Sequence, residues 1–144
     1  MSFTTHVGDG DATLDERLSE ELDAFNAAAM AHAGPQRELT VRIEDAAGLC
    51  GGASGWTWGS AAGLAMMWVR DDVRRAGLGA QLLEAFEAEA ASRGVRFVYV
   101  TSFTFQAPAF YERNGYVEFA RWDELPMAGE ADVHLRKALP GAAG

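Results

Sequence analysis

The stretch from Gly63 to Val100 constrains this chain more than any other. Gly63 to Val69 has strand character and runs into a turn rich in arginine and glycine. Leu78, Leu82, Leu83, Phe86 and Ala90 then share one side of a helix, with Gln81, Glu84 and Glu87 on another, and Gly94 is placed to end that helix as a left-handed cap. Val95 to Val100 follows as a nearly continuous run of β-branched, aromatic and other apolar residues, the pattern of a central strand buried on both faces. A helix held between two strands confines the chain to architectures that lay helices on a sheet.

The flanking segments extend this pattern. Thr13 and Glu16 have capping-box spacing, and Leu14, Leu18, Leu22 and Phe25 recur at helical intervals, which predicts one or two amphipathic helices before the break at Gly34-Pro35. Leu39, Val41 and Ile43 alternate with Thr40, Arg42 and Glu44 as in a half-buried strand, and the chain turns around Ala46-Ala47-Gly48. Leu49 to Trp58 makes a further strand, joined to the next near Gly59-Ser60. After the Val95–Val100 strand, a short helix begins near Ala107 with Pro108 in its first turn and stops at Gly115. Tyr116 to Trp122 and Asp132 to Lys137 are strands separated by a loop containing Pro126 and Gly129. The expected order is helix, three strands, helix, strand, helix, two strands, with neither a repeat nor a linker. Residues 1–139 read as a single domain and 140–144 as a loose tail.

Composition narrows the partners. Asp and Glu outnumber Lys and Arg by 21 to 12, a formal charge of -9, which disfavours nucleic acid bound through its phosphates. The same field suits a cationic small molecule, although it also serves solubility. Cys50 is the one cysteine, so no intramolecular disulfide can form, and a reducing compartment fits best. No run of about twenty apolar residues and no basic-then-apolar N-terminus is present, so the expectation is a cytoplasmic protein without a membrane partner. His6, His32 and His134 lack metal-ligand spacing and mutual neighbours; each is expected to be structural or exposed, and no metal is implied.

The chemistry collects where the strand ending at Val69 passes through Arg74-Arg75-Ala76-Gly77-Leu78-Gly79 into the helix. The first turn of a helix has unpaired N–H groups and a favourable dipole for anions, roughly 0.3 to 1 kcal/mol per exposed charge. Gly77 and Gly79 leave the backbone open to a phosphate, although a strand-to-helix turn can require glycine for geometry alone. No Lys-Ser or Lys-Thr follows the glycines as in a P-loop, and Leu82 stands at the third glycine of a dinucleotide fingerprint, so nucleoside triphosphate and NAD enzymes are disfavoured.

Arg74, Gly77 and Gly79 match motif A of the GNAT acetyltransferase superfamily: Arg or Gln, two residues, Gly, any residue, then Gly or Ala. Val69 falls at that family's strand-ending valine. Asp71 replaces its usual proline, a departure confined to the shape of the turn. The run Ala107-Pro108-Ala109-Phe110-Tyr111-Glu112-Arg113-Asn114-Gly115-Tyr116 resembles the family's short helix with an aromatic pair and a Gly-aromatic step, at the right distance from motif A. Thr101 to Pro108 and Leu135-Arg136-Lys137 are similar to a subgroup of small bacterial members. Many of those carry a Pro-Gly-His loop before the last strand. Pro126, Gly129 and Glu130 stand roughly in its place here, so that histidine's role does not carry over.

The resemblance implies an α/β (α+β) fold with a mixed, mostly antiparallel sheet of about six to seven strands and flanking helices, splayed between the strands ending at Val69 and Val100. It implies acetyl-CoA as cosubstrate, with Arg74, Arg75, Ala76, Gly77, Leu78, Gly79 and Ala80 around the pyrophosphate and Met67, Trp68 and Val69 along the pantetheine arm. An acetyl group would pass directly to an amine without an acyl-enzyme. The family commonly places a tyrosine where Tyr111 stands, which implies that Tyr111 protonates the departing thiolate, the alternative being an aromatic packed beside Phe110. A free phenol titrates near 10 and is a donor at neutral pH. Asn26, Trp56 and Trp58 are candidates for the acceptor pocket, where a tryptophan face could hold a cation for about 0.5 to 2 kcal/mol. Glu38, Glu44, Asp71, Asp72 or a water relay could receive the amine's proton. The expected acceptor is a small-molecule amine. A protein or peptide acceptor, a non-catalytic acyl-CoA-binding module and a homodimer stay open.

Overall fold

A computed structural model describes residues 1–141, and the expected loose tail therefore falls largely outside the described residues. The chain clusters into two compact units, Met1–Pro35 and the remainder from Gln36 on. The first holds one helix, α1 (Ala12–Ala29), with none of its residues buried. Its cap is Asp11, whose carboxylate accepts from the Leu14 N–H at 3.0 Å. The helix thus starts earlier than the Thr13–Glu16 spacing predicts, because an aspartate two residues upstream supplies the better acceptor for the first-turn N–H groups.

The second unit is a six-stranded open sheet: β1 (Arg37–Asp45), β2 (Gly48–Trp58), β3 (Ala61–Val69), β4 (Phe97–Phe103), β5 (Val117–Asp123) and β6 (Ala131–Ala138). The strand order is β1-β2-β3-β4-β6-β5, and only β3 and β4 run parallel. A 3-10 helix over Asp71–Ala76 and then α2 (Leu78–Ser92) connect these two strands; α3 (Pro108–Arg113) connects β4 to β5. The sequence pattern shows the 3-10 helix only as a turn. The mixed sheet with flanking helices is the expected fold class.

The predicted stripe of α2 is the core. Leu82, Leu83, Phe86 and Ala90 are buried and pack with Leu39, Ala53, Ala62, Leu64, Val98, Val100, Val133 and Leu135. Burying a side chain of this kind contributes about 1.5–3 kcal/mol. One expectation fails here: β4 is central but is not buried on both faces. Val98, Val100 and Ser102 are buried, whereas Phe97 and Tyr99, which alternate with them, are 42% and 37% exposed. The helical core takes one face of the strand, and its opposite face keeps apolar side chains in the open, so the continuous apolar run does not mean double burial. The strand also begins two residues after Val95, which is instead buried at the end of α2 with its N–H on the Ala90 carbonyl, 3.1 Å away.

Two half-buried polar links hold the elements that border the later site. The Ser102 hydroxyl accepts from the Ala107 N–H at 3.2 Å and so ties the residue before α3 to β4. Glu87 on α2 accepts from the Tyr116 hydroxyl at 3.1 Å and from Lys137 on β6 at 2.9 Å. Burial first, and the Glu87 carboxylate next, push the Tyr116 phenol well above its usual range.

Candidate active site

The parallel pairing of β3 with β4 is short. It runs from Ala61 opposite Phe97 to Leu64 opposite Val100 and stops. On its other side β3 pairs with β2, and the register there shifts: Ser54 faces Met66, Gly55 faces Leu64, and Ala65 is the extra residue of a bulge. A bulge bends its strand and increases local twist. The bend therefore falls at the residue where β3 and β4 part. Gly55 is obligatory beside it, because a Cβ there would run into the Gly63 carbonyl.

Beyond Leu64 the strands enclose a cleft of about 770 Å³, within the range of small-molecule sites. Met67, Trp68 and Val69 line one wall, and the β4-facing backbone groups of this segment have no strand partner. Thr101, Ser102 and Tyr111 line the opposite wall. Arg74, Gly77, Gly79 and Ala80 close one end.

At that end the helix α2 begins without a side-chain cap. The first bond to a backbone carbonyl is from Gln81 N–H to Gly77 at 3.2 Å, so the N–H groups of Leu78, Gly79 and Ala80 have no acceptor among the described residues. Bare donors at a helix N-terminus, with Gly79 and Ala80 lining a cleft that also has an unpaired strand edge, fit a ligand with a diphosphate and an amide-containing arm.

The two glycines have different causes. Gly77 has φ of 78° and open space where a Cβ would stand, so it is required by backbone conformation. At Gly79 a Cβ would come within 2.9 Å of the Phe110 ring. That glycine admits α3 against α2.

Arg74 donates from Nε to the Val69 carbonyl at 3.2 Å and pairs with Asp71 at 2.8 Å. Arg75, Ala76 and Leu78 do not line the cleft. The 3-10 turn is fastened by Arg70, which bonds Asp72 at 2.6 Å and Asp45 at 2.7 Å. The guanidinium holds both carboxyls below the usual carboxylate range. Asp71 and Asp72 are thus committed to arginines, and Glu44 is paired with Arg42.

Tyr111 is buried on α3 between Phe110 and Tyr116, both edge-on to it. Its hydroxyl has no hydrogen-bond partner among the described residues, and burial pushes the phenol up, so it stays protonated at neutral pH. Trp56 and Trp58 do not line the cleft; the Trp56 indole covers Gly63 on the neighbouring strand. Asn26 lies near the end of α1, in the first unit.

Sequence reasoning misses several wall residues, among them Met66, Thr101, Gln106 and Phe110. Gln106 accepts the Phe103 N–H at 2.8 Å and shapes the turn into α3. Only the Thr101–Pro108 resemblance signals that turn. No group of three potential metal ligands exists among the described residues, and no helix is long and apolar enough to cross a membrane.

No curated protein matches the sequence. Among solved structures, an acetyltransferase from Bacillus cereus is 28% identical with a TM-score of 0.77, over 94% of this chain and 98% of its own. A presumptive acetyltransferase from Agrobacterium tumefaciens is 25% identical with a TM-score of 0.83, over 96% and 100%. An aminoglycoside 6'-N-acetyltransferase complexed with coenzyme A shares the fold at 18% identity and a TM-score of 0.65, over 89% and 92%. The family model of the acetyltransferase (GNAT) domain matches residues 36–118, from the start of β1 into β5. With that match spanning more than half of the sequence, the chain belongs to the GNAT acetyltransferase family, and its cosubstrate is acetyl-CoA.

Proposed function

We propose that this acetyltransferase moves the acetyl group of acetyl-CoA directly onto an amine of a small molecule, in the cytoplasm and without a metal. The observation that carries the reading is the shared cleft: Gly79 and Ala80 with their unpaired N–H groups, an unpaired edge of β3 and Tyr111 all border it. The N–H groups of Leu78, Gly79 and Ala80 hold the pyrophosphate, with Arg74, Arg75, Ala76 and Gly77 completing the loop. The Met67–Val69 edge aligns the arm and presents backbone donors to the thioester carbonyl. A preorganised donor of that kind contributes about 2.7 to 4 kcal/mol to acyl transfer. Tyr111 gives its proton to the departing sulfur.

Trp56 and Trp58, which stand outside the cleft lining, are the acceptor-side candidates within the second unit, and Asn26 is a separate candidate on α1. The negative charge of the chain, -9, favours a cationic acceptor. Single-domain behaviour of residues 1–139 belongs to the same reading.

Acetyl-CoA alone is expected to raise the melting temperature, since a ligand at 100 times its Kd stabilises the native state by about 2.7 kcal/mol. Pooled small amines and pooled peptides are then tested separately for release of CoA thiol. Release with the amine pool supports the proposal. Release with peptides only replaces the acceptor class, and binding without release in either pool identifies a non-catalytic module.

A further inference from the structure

The open face of the sheet carries a hydrogen-bonded chain that the reading above does not use. Tyr99 on β4 shares a 3.2 Å hydrogen bond with His134 Nδ1, and His134 Nε2 lies 3.0 Å from Asp132 Oδ2 on β6. A carboxylate only accepts, so Nε2 carries the imidazole proton. Nδ1 of the neutral ring is then bare and accepts from the Tyr99 phenol. The phenol hydrogen points into the chain, leaving an oxygen lone pair for an outside proton. Histidine judged by spacing alone reads as structural; its partners come from strand register.

Position supports a role in the reaction. Tyr99 and Thr101 alternate to the same side of β4, and Thr101 lines the cleft. His134 is the register partner of Thr101, and Tyr99 that of Gly63, one pair before the strands separate. Trp56 covers the same Gly63 from β2, so Trp56 and Tyr99 flank one glycine at the root of the splay. The Phe119 ring stands 6.0 Å from Tyr99 and 6.2 Å from His134 and walls the chain on the β5 side. Tyr99 is 37% exposed, open to a ligand on this face.

We infer that Tyr99, His134 and Asp132 form the proton acceptor for the incoming amine, with Tyr99 as the catalytic residue and the other two as positioning residues behind it. This rests on the proposed function. As the nitrogen bonds the acetyl carbon and the carbon–sulfur bond breaks, Tyr99 Oη receives the nitrogen's proton while its own passes to His134 Nδ1. Asp132 holds the resulting imidazolium. The sulfur takes its proton from Tyr111, and solvent restores both groups as products leave. Burial, and then the Asp132 carboxylate, push the Tyr99 phenol up, which keeps it protonated until such a transfer. The charged groups facing the chain are Asp132 itself and Arg136, whose guanidinium lies 5.5 Å over Phe119. The facing residues Thr101, Gly63 and Ala120 from β4, β3 and β5 are uncharged.

The test compares Tyr99→Phe, His134→Gln, Asp132→Asn and the Tyr99→Phe/His134→Gln double variant. CoA-thiol release is measured with water as sole nucleophile and with the best amine of the panel, alongside acetyl-CoA Kd and melting temperature. Tyr99→Phe and His134→Gln are each expected to lower kcat by about 10²- to 10⁴-fold, with Kd and melting temperature unchanged. The double variant should be no worse than the singles, because groups acting as a unit are not additive. The amine defect should persist above the amine's own pKa, since a neutral amine still has to lose a proton as it bonds the acetyl carbon.

Single variants within about threefold of wild type, small beside the general-base range, or a double-variant loss equal to the product of the singles, would overturn the inference. The second readout needs no acceptor: in histidine-labelled protein, nitrogen NMR should show His134 protonated at Nε2 and bare at Nδ1. The Nδ1 resonance should move in Tyr99→Phe, and an Nδ1 found protonated defeats the relay. Wild-type protein that releases no CoA under any condition sinks the proposed function, while the NMR result stands for or against the chain separately.

Discussion

Replacing Gly79 with alanine separates two causes that a glycine in this motif can have. The added Cβ would stand 2.9 and 3.0 Å from Cζ and Cε2 of Phe110, whereas ordinary carbon contacts are about 3.5–4.0 Å. Overpacking of this kind costs about 1–3 kcal/mol, toward the low end here because the contacted atoms are the far edge of a ring that can tilt. Alanine recovers up to about 1 kcal/mol of helix propensity over glycine. The net expectation for Gly79→Ala is a loss between zero and about 2 kcal/mol. In a Phe110→Ala background the collision is gone, and the same substitution should stabilise by up to about 1 kcal/mol.

Urea denaturation of the four proteins of this cycle gives the coupling, expected at about 1–3 kcal/mol. Acetyl-CoA titration calorimetry on the same proteins adds the functional half. Phe110 borders the cleft, so a tilted ring narrows it. Affinity should fall in Gly79→Ala and return when Phe110 is also alanine. Stability effects that add to within about 0.5 kcal/mol in the two backgrounds would refute the ring-contact argument. Affinity lost equally in both would instead show that the phosphates themselves approach Gly79.

Two further outcomes follow from the same geometry. Tyr111→Phe is expected to keep the fold and the acetyl-CoA Kd, since the hydroxyl has no protein partner to lose, while lowering the acetylation rate by about 10²- to 10⁴-fold; steady-state kinetics within about threefold of wild type, well short of that range, would return it to a packing role. The Arg70 bridge predicts a signed pH dependence: Asp45 and Asp72 are depressed in the folded state, so their contribution is full above the ordinary carboxylate pKa and is lost as pH falls through the lower folded values. Urea midpoints of wild type and Arg70→Met should differ at pH 7 and converge toward the acid limit, and a gap that persists or widens in acid contradicts this assignment.

Legibility in the sequence divides by range. The α2 stripe, its Gly94 stop and the proline at the start of α3 were readable because each depends on residues within a few positions. The same locality misled at the helix start, where Asp11 outcompetes the Thr13 box, and at Val95–Val100, where apolar composition does not say how many faces are covered. Chemistry that depends on register was invisible. Tyr99 and His134 are 35 residues apart in sequence and meet only because β4 and β6 pair antiparallel with Thr101 opposite His134.

The cleft itself shows why register matters more than composition. Neither β3 nor β4 ends where their pairing ends: both continue as strands past Leu64 and Val100. Separation follows from β2, the strand on the far side. Pairing with β2 across one extra residue, Ala65, bends β3 at the point where β4 would otherwise continue alongside it. Two glycines permit this: Gly55 yields to the Gly63 carbonyl, and Gly63 yields to the Trp56 ring. The opening therefore depends in part on residues that do not border it, and a Cβ at Gly55 would act on the cleft through the bulge, although Gly55 is not part of the cleft lining. The binding edge stays unpaired because of a bulge in β3 itself, set from the far side by its pairing with β2 and by the close approach of Gly55 to the Gly63 carbonyl.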